Sequence, residues 1–379
     1  MARLGDTGKV VTGNTPKTSD SQNYASNDIC FVKPSDIADG IVTYLNDSEF
    51  YISEYARAKA RILPPQSVLV TCIGIIGKVA INDVECAFNQ QINAIIPDNS
   101  KCLTEYLAYA IQNKQPEMQD VANAPVVPIL NKTQFSDIEI NLPSLTEQEE
   151  IVEKLNAVSR LIALRKEQLA KLDQLVKSRF VELFGDYELS HAQSGWKTIS
   201  EIGKVVGGAT PKTNIEEYWD GEYRWITPAE LDTDSGYIYD SVRKLTKAGV
   251  DSCSLQEMPI DTVILSSRAP IGKVAIAGNT FYCNQGFKNI VCNDKILPRY
   301  LYTILLLNTE YLNSLGRGAT FKEISKSIVE NIRILIPPID LQKQFTAFVE
   351  QTDKSKFDLK QSLEKLETLK KSLMQQYFG

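Results

Sequence analysis

Two kinds of hydrophobic pattern alternate along this chain. Short runs rich in β-branched residues lie between glycine and proline turns, most clearly at 67–73 and 262–266. Such runs predict buried β-strands. Helical spacing of apolar residues at 103–113 and 298–308 predicts a shorter helix after each group of strands. The chain therefore contains two stretches in which strands and short helices are mixed.

A different pattern follows each mixed stretch. Apolar residues recur every seven positions after Pro143, and a second leucine stripe runs to the chain end after Pro338. Heptad spacing of this kind is typical of a coiled coil. We expect the first long helix to be capped by Thr146 and to stop at Gly185, and the second to begin at Asp340. The predicted helix–helix interface consists of Leu155, Ile162, Leu169, Val176, Leu359, Leu363, Leu366 and Leu373.

The length of these helices predicts that they pair. A helix of about 35 residues is about 50 Å long, which exceeds the diameter of a small domain. Its apolar stripe must therefore find a partner beyond its own domain core. The second long helix has a matching stripe, so we expect the two to pack antiparallel.

The whole chain is a tandem repeat. The segment 8–18, which contains Gly-Lys-Val-Val and Thr-Pro-Lys-Thr, returns at 203–213, an offset of 195 residues. The segments 76–81 and 89–90 return at the same offset. This ordered repetition predicts an α+β protein with two similar mixed α/β domains. Two long helices join them as an antiparallel coiled coil, with pseudo-two-fold symmetry.

Several of the repeated motifs resemble one known family. The entries to the long helices at 142–151 and 336–345, each a proline turn followed by Gln148 or Gln342, resemble the conserved regions of type I restriction specificity subunits. The Gly-x-Thr-Pro turns, with 218–228, 266–273 and 284–288, resemble the target recognition domains of that family. The resemblance extends over the whole chain and implies a subunit that reads DNA sequence.

The resemblance implies four segments. Recognition domains would occupy 1–143 and 186–337, and the helical spacers would occupy 144–185 and 338–379. Phe31 replaces Trp225, residues 71–73 replace the Ser-Ser-Arg run at 266–268, and Gln91 replaces Gly286. These differences predict that the two domains read different half-sites of one interrupted, asymmetric target.

Composition narrows the possible chemistry. The chain has a single histidine, His191, and seven cysteines without a Cys-x-x-Cys pair. Triads with histidine, multi-histidine metal sites and a disulfide framework are therefore unexpected. We find neither a long apolar span nor a signal peptide in the sequence, so we expect a cytoplasmic protein. The net charge of −6 requires a locally basic face, or partners with basic surfaces, for any contact with DNA.

Catalytic motifs of DNA-modifying enzymes do not occur in the sequence. We find no Asp-Pro-Pro-Tyr or Asn-Pro-Pro-Tyr motif, which adenine methyltransferases use to hold a flipped base. We expect no enzyme activity, cofactor or metal in this chain. The resemblance implies partners that supply the chemistry. These are two methyltransferase subunits with S-adenosylmethionine, and motor–nuclease subunits with ATP and Mg²⁺.

Polar and basic residues in the predicted loops are the candidate DNA contacts. Such side chains bond to base edges and phosphates. In the first half they are Thr15, Lys17, Arg57, Lys59, Arg61, Lys78, Asn89, Gln90 and Asn93. In the second half they are Thr210, Lys212, Arg268, Lys273, Asn284, Gln285, Lys288, Arg317 and Lys322.

Structural interpretations of the same motifs stay open at this point. The Thr-Pro-Lys-Thr segments also fit turns without a ligand, and Gly77 and Gly272 fit turns into core strands. The Asn-Gln pairs also fit loop braces. Two other functions remain as alternatives: a methyltransferase or nuclease with built-in recognition domains, and a coiled-coil adaptor whose heads bind something other than DNA.

Overall fold

The computed structural model describes residues 1–122, 127–185, 188–191, 196–231, 236–268, 270–318 and 322–379. The chain divides into two units. Residues 1–164 and 363–379 form the first unit, and residues 165–362 form the second. Each unit therefore contains one mixed domain and a part of each long helix.

The first unit is built around a five-stranded sheet in the order β2-β10-β7-β8-β4. Neighbouring strands are antiparallel except for β4 and β8, which are parallel. A second sheet has the order β5-β3-β9-β6, and β1 pairs with β11. The strands are β1 Ala2–Arg3, β2 Gly8–Thr12, β3 Ile29–Val32, β4 Val42–Leu45, β5 Tyr51–Ile52, β6 Ile62–Leu63, β7 Val68–Thr71, β8 Val79–Asn82, β9 Cys86–Phe88, β10 Ile92–Pro97 and β11 Glu139–Ile140.

The second unit repeats this arrangement. Its five-stranded sheet has the order β13-β20-β17-β18-β15, with β15 and β18 parallel. A three-stranded sheet has the order β16-β14-β19, and β12 pairs with β21. The strands are β12 Lys197–Thr198, β13 Gly203–Gly207, β14 Trp219–Ile226, β15 Tyr237–Ile238, β16 Arg243–Leu245, β17 Val263–Leu265, β18 Val274–Ala277, β19 Tyr282–Cys283, β20 Lys288–Cys292 and β21 Arg333–Ile334.

Helices complete both units, and two of them are long. The α-helices are α1 Thr104–Asn113, α2 Gln115–Val121, α3 Lys132–Asp137, α4 Leu145–Phe184, α5 Ile199–Ile202, α6 Lys247–Asp251, α7 Pro298–Leu307, α8 Thr309–Ser314, α9 Lys326–Glu330 and α10 Ile339–Phe378. The 3-10 helices are Leu4–Asp6, Ser21–Tyr24, Pro34–Asp36, Glu54–Lys59, Leu189–His191, Glu216–Tyr218 and Pro228–Glu230. Each of the two long helices has 40 residues.

Alternation along the central strands builds a core on both faces of each large sheet. In the first unit Val68 and Val70 pack towards α1 and the long helices, whereas Leu69 packs between the two sheets. In the second unit Val263 and Ile264 divide in the same way. Both faces are covered, so these strands are apolar throughout, as the runs at 67–73 and 262–266 predict.

The long helices pack against each other in antiparallel directions within each unit. In the second unit Arg165 donates to Ser362 (3.3 Å) and Lys356 pairs with Asp173 (2.5 Å). Phe180 meets Phe345 edge to face at 5.4 Å. In the first unit the Lys154 ammonium lies 5.9 Å from the Tyr377 ring. The earlier residues of α4 therefore contact the later residues of α10, which confirms the predicted antiparallel pair.

The buried and half-buried positions of α4 follow the predicted seven-residue spacing. Leu155 and Val176 are buried, whereas Ile162 and Leu169 are half-buried. The α10 positions Leu359, Leu363, Leu366 and Leu373 are half-buried as well. The apolar stripe of α10 is interrupted by Lys370, whose ammonium lies over the Tyr109 ring of the same unit. The adjacent Leu369 is 46% exposed.

The starts of the long helices differ from the prediction by one or two residues. Ser144, not Thr146, caps α4, because its hydroxyl accepts from the Glu147 N–H at 3.4 Å and its backbone N–H donates to the Glu147 carboxylate at 3.0 Å. This reciprocal arrangement is a capping box. Thr146 lies inside the first turn, and α10 begins at Ile339, so Asp340 is also inside its helix. Gly185 ends α4 as predicted, with a φ of 80°.

A buried glutamine ties each long helix to its mixed domain. Gln148 is fully buried; its carbonyl oxygen accepts from the Leu103 N–H (2.9 Å), and its amide donates to the Lys101 and Pro143 carbonyls. Gln342 makes the same three bonds at the start of α10. One side chain thus connects the helix start, the proline turn before it and the segment that leads into α1 or α7.

None of the helices in the described part of the chain has the length and apolarity needed to cross a bilayer.

We predict that Gln342→Ala weakens the second unit. Removal of the amide leaves up to three buried backbone groups without partners, at a cost of about 1–3 kcal/mol each. Hydrogen exchange should report the change, since two units need not unfold in a single transition. Gln344→Ala is the control because Gln344 is exposed on the same helix. Equal exchange rates in the two variants would contradict the anchoring role.

Candidate nucleic-acid interface

Two loops that are far apart in sequence meet in each unit. In the first unit the Thr15 hydroxyl donates to the Gln90 side-chain carbonyl at 2.7 Å. In the second unit Thr210 donates to Gln285 at 2.6 Å. The Thr-Pro-Lys loop follows β2 or β13, and the Asn-Gln loop precedes β10 or β20, the neighbouring strand in the sheet. These two loops are therefore joined in both units. All four of these side chains are exposed on their loops.

A glycine without space for a side chain permits this close approach. A Cβ at Gly13 would lie 2.0 Å from the Asn89 carbonyl oxygen, and one at Gly208 would lie 2.1 Å from that of Cys283. Both distances are far inside van der Waals contact. The glycine of Gly-x-Thr-Pro is thus required by packing between the two loops, and its backbone conformation is ordinary.

Aromatic and amide side chains support the Thr-Pro-Lys loop. In the second unit the indole N–H groups of Trp225 and Trp219 donate to the Ala209 and Lys212 carbonyls, at 3.1 and 3.3 Å. In the first unit Tyr24 donates to the Pro16 carbonyl and Asn23 donates to the Lys17 carbonyl. The two loops therefore have similar positions but different supports.

Two further segments of the second unit join the Asn-Gln loop. The Ser267 N–H donates to the Gly286 carbonyl (2.7 Å), and the Ile324 N–H donates to the Ser267 carbonyl (2.9 Å). The Arg268 Nε atom lies 3.4 Å from the point where a Cβ on Gly286 would stand, so this guanidinium packs over the glycine. The structure thus brings Arg268 to the same surface as Gln285, where its side chain is half-exposed.

Basic candidates of the first unit are mostly engaged with neighbouring groups. Arg57 forms ion pairs with Glu54 and with Glu85 (2.7 Å), which raise the pKa of its guanidinium. Lys59 pairs with Asp20 at 2.9 Å, and this hydrogen bond holds the pKa of the Asp20 carboxyl below its usual value. Arg61 donates to the Thr12 carbonyl. These contacts brace the loop and leave the side chains partly exposed.

Three candidates of the first unit have internal partners. The Lys78 ammonium donates to the Ile37 carbonyl at 2.9 Å, and Asn89 bonds both ways with Gln91. Asn93 is only 2% exposed, and its amide contacts Thr12 and Cys72. These contacts favour structural roles for all three.

The second unit also uses some candidates internally. Lys288 is 12% exposed at its side chain and pairs with Glu323 at 3.1 Å. Asn284 accepts from the Gly286 N–H at 2.9 Å. Lys273 is half-buried beside the Ser266 turn, where its backbone N–H donates to the serine hydroxyl.

Exposed side chains remain on both loop surfaces. Lys17 and Lys212 are exposed at matching positions of the Thr-Pro-Lys loops, and Arg317 and Lys322 are exposed beside Glu323.

The hydrogen bonds confirm the predicted correspondence of the halves. The Phe31 and Trp225 N–H groups both donate to a serine hydroxyl at 3.1 Å. The sequence assigned no role to the indoles, although two tryptophans near a Thr-Pro turn were a usable signal.

We also looked for metal-binding and thiol chemistry among the described residues. They contain no group of three or more histidine, cysteine or acidic residues that could hold a metal ion. The cysteines are free thiols, as predicted, and burial raises the pKa of the Cys72 and Cys283 thiols to about 12. The His191 side chain lies outside the described part of the chain.

The sequence matches one protein family over nearly its full length. The family described as the type I restriction modification DNA specificity domain matches residues 1–174 and again residues 193–371. The two matches coincide with the two copies of the internal repeat.

Individual relatives carry the same description. The chain is 37% identical over 210 residues to the type I restriction enzyme MjaIX specificity subunit of Methanocaldococcus jannaschii. The aligned residues cover 54% of this chain and 48% of the relative. The match thus spans about half of that relative's length. This chain is also 22% identical over 371 residues to the type I restriction enzyme StySPI specificity subunit of Salmonella potsdam. That alignment covers 90% of this chain and 79% of the relative.

Solved structures show the same fold. The crystal structure of the S subunit of a type I restriction-modification system from M. genitalium matches 100% of this chain and 95% of its own, with a TM-score of 0.61 and 13% identity. This likeness supports the fold, including two similar mixed domains and long helices.

We predict that Gly208→Ala separates the two loops of the second unit. The added methyl group would overlap the Cys283 carbonyl, and relief of such overpacking costs about 1–3 kcal/mol. The Ala209 N–H, which donates to that carbonyl at 2.9 Å, should then exchange faster with solvent.

Gly207→Ala is the matched control, because a Cβ there would meet only the Phe287 carbonyl oxygen, at 3.9 Å. Stability and Ala209 exchange should stay close to the original values in this variant. If both variants behave alike, close approach is not the reason for Gly208.

Proposed function

Because this chain belongs to the type I restriction modification DNA specificity domain family, we propose that it selects the DNA sequence on which a type I restriction–modification complex acts. It would do so as a non-catalytic subunit. The proposed recognition domains are residues 1–143 and 186–337, and the proposed spacers are residues 144–185 and 338–379.

One observation carries this proposal: the two units present the same pair of joined loops with different side chains around them. The Thr15–Gln90 and Thr210–Gln285 bonds are equivalent. Arg268 forms an isolated backbone bridge with Glu323, and Ile73 forms the equivalent bridge with Ile129. Ile73 therefore stands in the first unit where Arg268 stands in the second. A shared scaffold with unlike reading groups suits two different half-sites of one interrupted target.

Hydrogen bonds from these loops to base edges in the major groove would supply specificity, and phosphate contacts would supply orientation. The exposed candidates, together with the guanidinium groups of the half-exposed Arg57 and Arg268, are the side chains that a duplex can reach. We propose as DNA contacts Thr15, Lys17, Arg57, Lys59, Arg61, Gln90, Thr210, Lys212, Arg268, Gln285, Arg317 and Lys322.

The long helices would set the gap between the half-sites and dock the methyltransferase subunits. A helix of 40 residues is about 60 Å long at about 1.5 Å per residue. DNA advances about 34 Å per turn, so half-sites about one turn apart are within the span of such a spacer.

Partners would supply what this chain does not. Two methyltransferase subunits with S-adenosylmethionine would modify adenine, and motor–nuclease subunits would use ATP and Mg²⁺. Their basic surfaces would offset the net charge of −6 of this chain. Such a complex acts on double-stranded DNA in the cytoplasm.

Expression of this chain with its methyltransferase subunit in a methylation-free host tests the proposal. Methylome sequencing should show one asymmetric, interrupted adenine-methylation motif, and omission of this chain should abolish it. Exchange of residues 1–140 for those of another family member should alter one half of the motif and leave the other intact. Sequence-independent methylation, or methylation without this chain, would refute the specificity role.

We further predict that the gap follows helix length. Insertion of seven residues into both α4 and α10, at the 164/165 and 362/363 junctions, adds about 10 Å to each helix and preserves the heptad phase. The gap should lengthen by about three base pairs, with both half-sites unchanged.

A two-residue insertion at the same two junctions is the control. It turns the apolar stripe by about 200° away from the partner helix and should abolish methylation, or reduce it strongly. An unchanged gap after the seven-residue insertions would show that the helices do not set the spacing.

A further inference from the structure

An arginine outside the predicted contacts lies on an aromatic platform in the second unit. Arg243 begins β16, and its guanidinium carbon lies 3.5 Å from the centre of the Trp219 ring and 5.6 Å from that of Trp225. The two indoles pack edge to face at 5.2 Å. Stacking on an aromatic face orients a guanidinium while its N–H groups stay available at the edge.

The same platform holds the Thr-Pro-Lys loop. Trp219 donates its indole N–H to the Lys212 carbonyl and carries the Arg243 guanidinium on its ring face. Arg243 is therefore placed beside the loop that contains Thr210 and Lys212, on the surface proposed to face DNA. Its neighbour Val242 is 87% exposed, so this edge of the small sheet is open to a ligand.

The nearest acidic residue in sequence, Asp240, pairs with other cations. Asp240 pairs with Arg224 at 3.2 Å and with Lys244 at 3.4 Å. No carboxylate pairs with Arg243 in the ranges that the structure describes. An exposed, pre-oriented arginine of this kind is a suitable donor for a ligand with two adjacent acceptors.

The first unit has an aromatic side chain at the position equivalent to Arg243. Ser241 accepts from the Trp225 N–H and donates to the Arg243 carbonyl, and Ser48 accepts from the Phe31 N–H and donates to the Phe50 carbonyl. Phe50 therefore corresponds to Arg243. The Lys33 ammonium lies 3.0 Å from the centre of the Phe50 ring. The first unit thus has a ring where the second has an arginine, and its cation comes from Lys33, which has no planar fork.

We propose that Arg243 is a specificity-determining residue that reads a guanine in the half-site of the second unit. This inference rests on the proposed function. The guanidinium fork would donate to the O6 and N7 acceptors of the base, the most common specific contact of arginine in the major groove. Lysine presents a point charge without a fork, so Lys33 would give its half-site a different preference.

Methylation of duplex libraries by the complete complex tests this inference. Each library replaces one position of the second half-site with all four bases. Arg243→Ala should reduce the preference for guanine at one position by about 10-fold to 100-fold, with the first half-site unchanged. Arg243→Lys should lose the same preference, because it keeps the charge but not the fork, and it serves as the test if the alanine variant folds poorly.

Lys197→Ala is the control for loss of charge, since Lys197 is exposed on β12 of the same unit and pairs with Glu201. It should leave every preference within about twofold of the unmodified complex. The inference is overturned if Arg243→Ala keeps all base preferences, or slows methylation equally on all duplexes. Lack of any preference in the unmodified complex would instead refute the proposed function itself.

Discussion

A fully buried side-chain amide at the start of each long helix fixes that helix to its mixed domain. Gln148 and Gln342 each bond to a proline turn and to the segment before a short helix. A buried amide is stable only when its donors and acceptors are paired, so its geometry admits one helix direction. The helix that would set the gap in DNA is thereby fixed to the domain that would read it.

The two units share backbone contacts beside the joined loops, although their smaller sheets differ in strand number. The Asp36 carboxylate accepts from the Lys33 and Glu49 N–H groups, and in the second unit Glu230 accepts from Thr227 and Val242 in the same way. These bonds hold the backbone in place whatever the neighbouring side chains are. The exposed residues, such as Phe50 and Arg243, are then free to differ. A protein built from two such units can change one half of a target without change to the other.

Sequence reasoning and structure differ most at the loops. Thr15, Gln90, Thr210 and Gln285 were candidates because polar loop residues suit DNA contacts, and the structure joins them in pairs. Asn93 is also polar and was a candidate for the same reason. It is buried, because it lies within β10, where its side chain bonds to Thr12 and Cys72. Arg243 was overlooked because nothing in its local sequence shows that Trp219 lies beneath it.

Repetition and periodicity in the sequence were enough to establish the duplication, the two long helices and the heptad stripe. The helices and the stripe follow from spacing between residues that are close together in the chain, and the duplication follows from direct comparison of the two halves. The folded structure was needed to show which polar loop residues are exposed, which cations are neutralised by carboxylates and which aromatic ring carries an arginine. Such contacts join residues that are far apart in sequence, and their geometry follows from the packing of whole sheets.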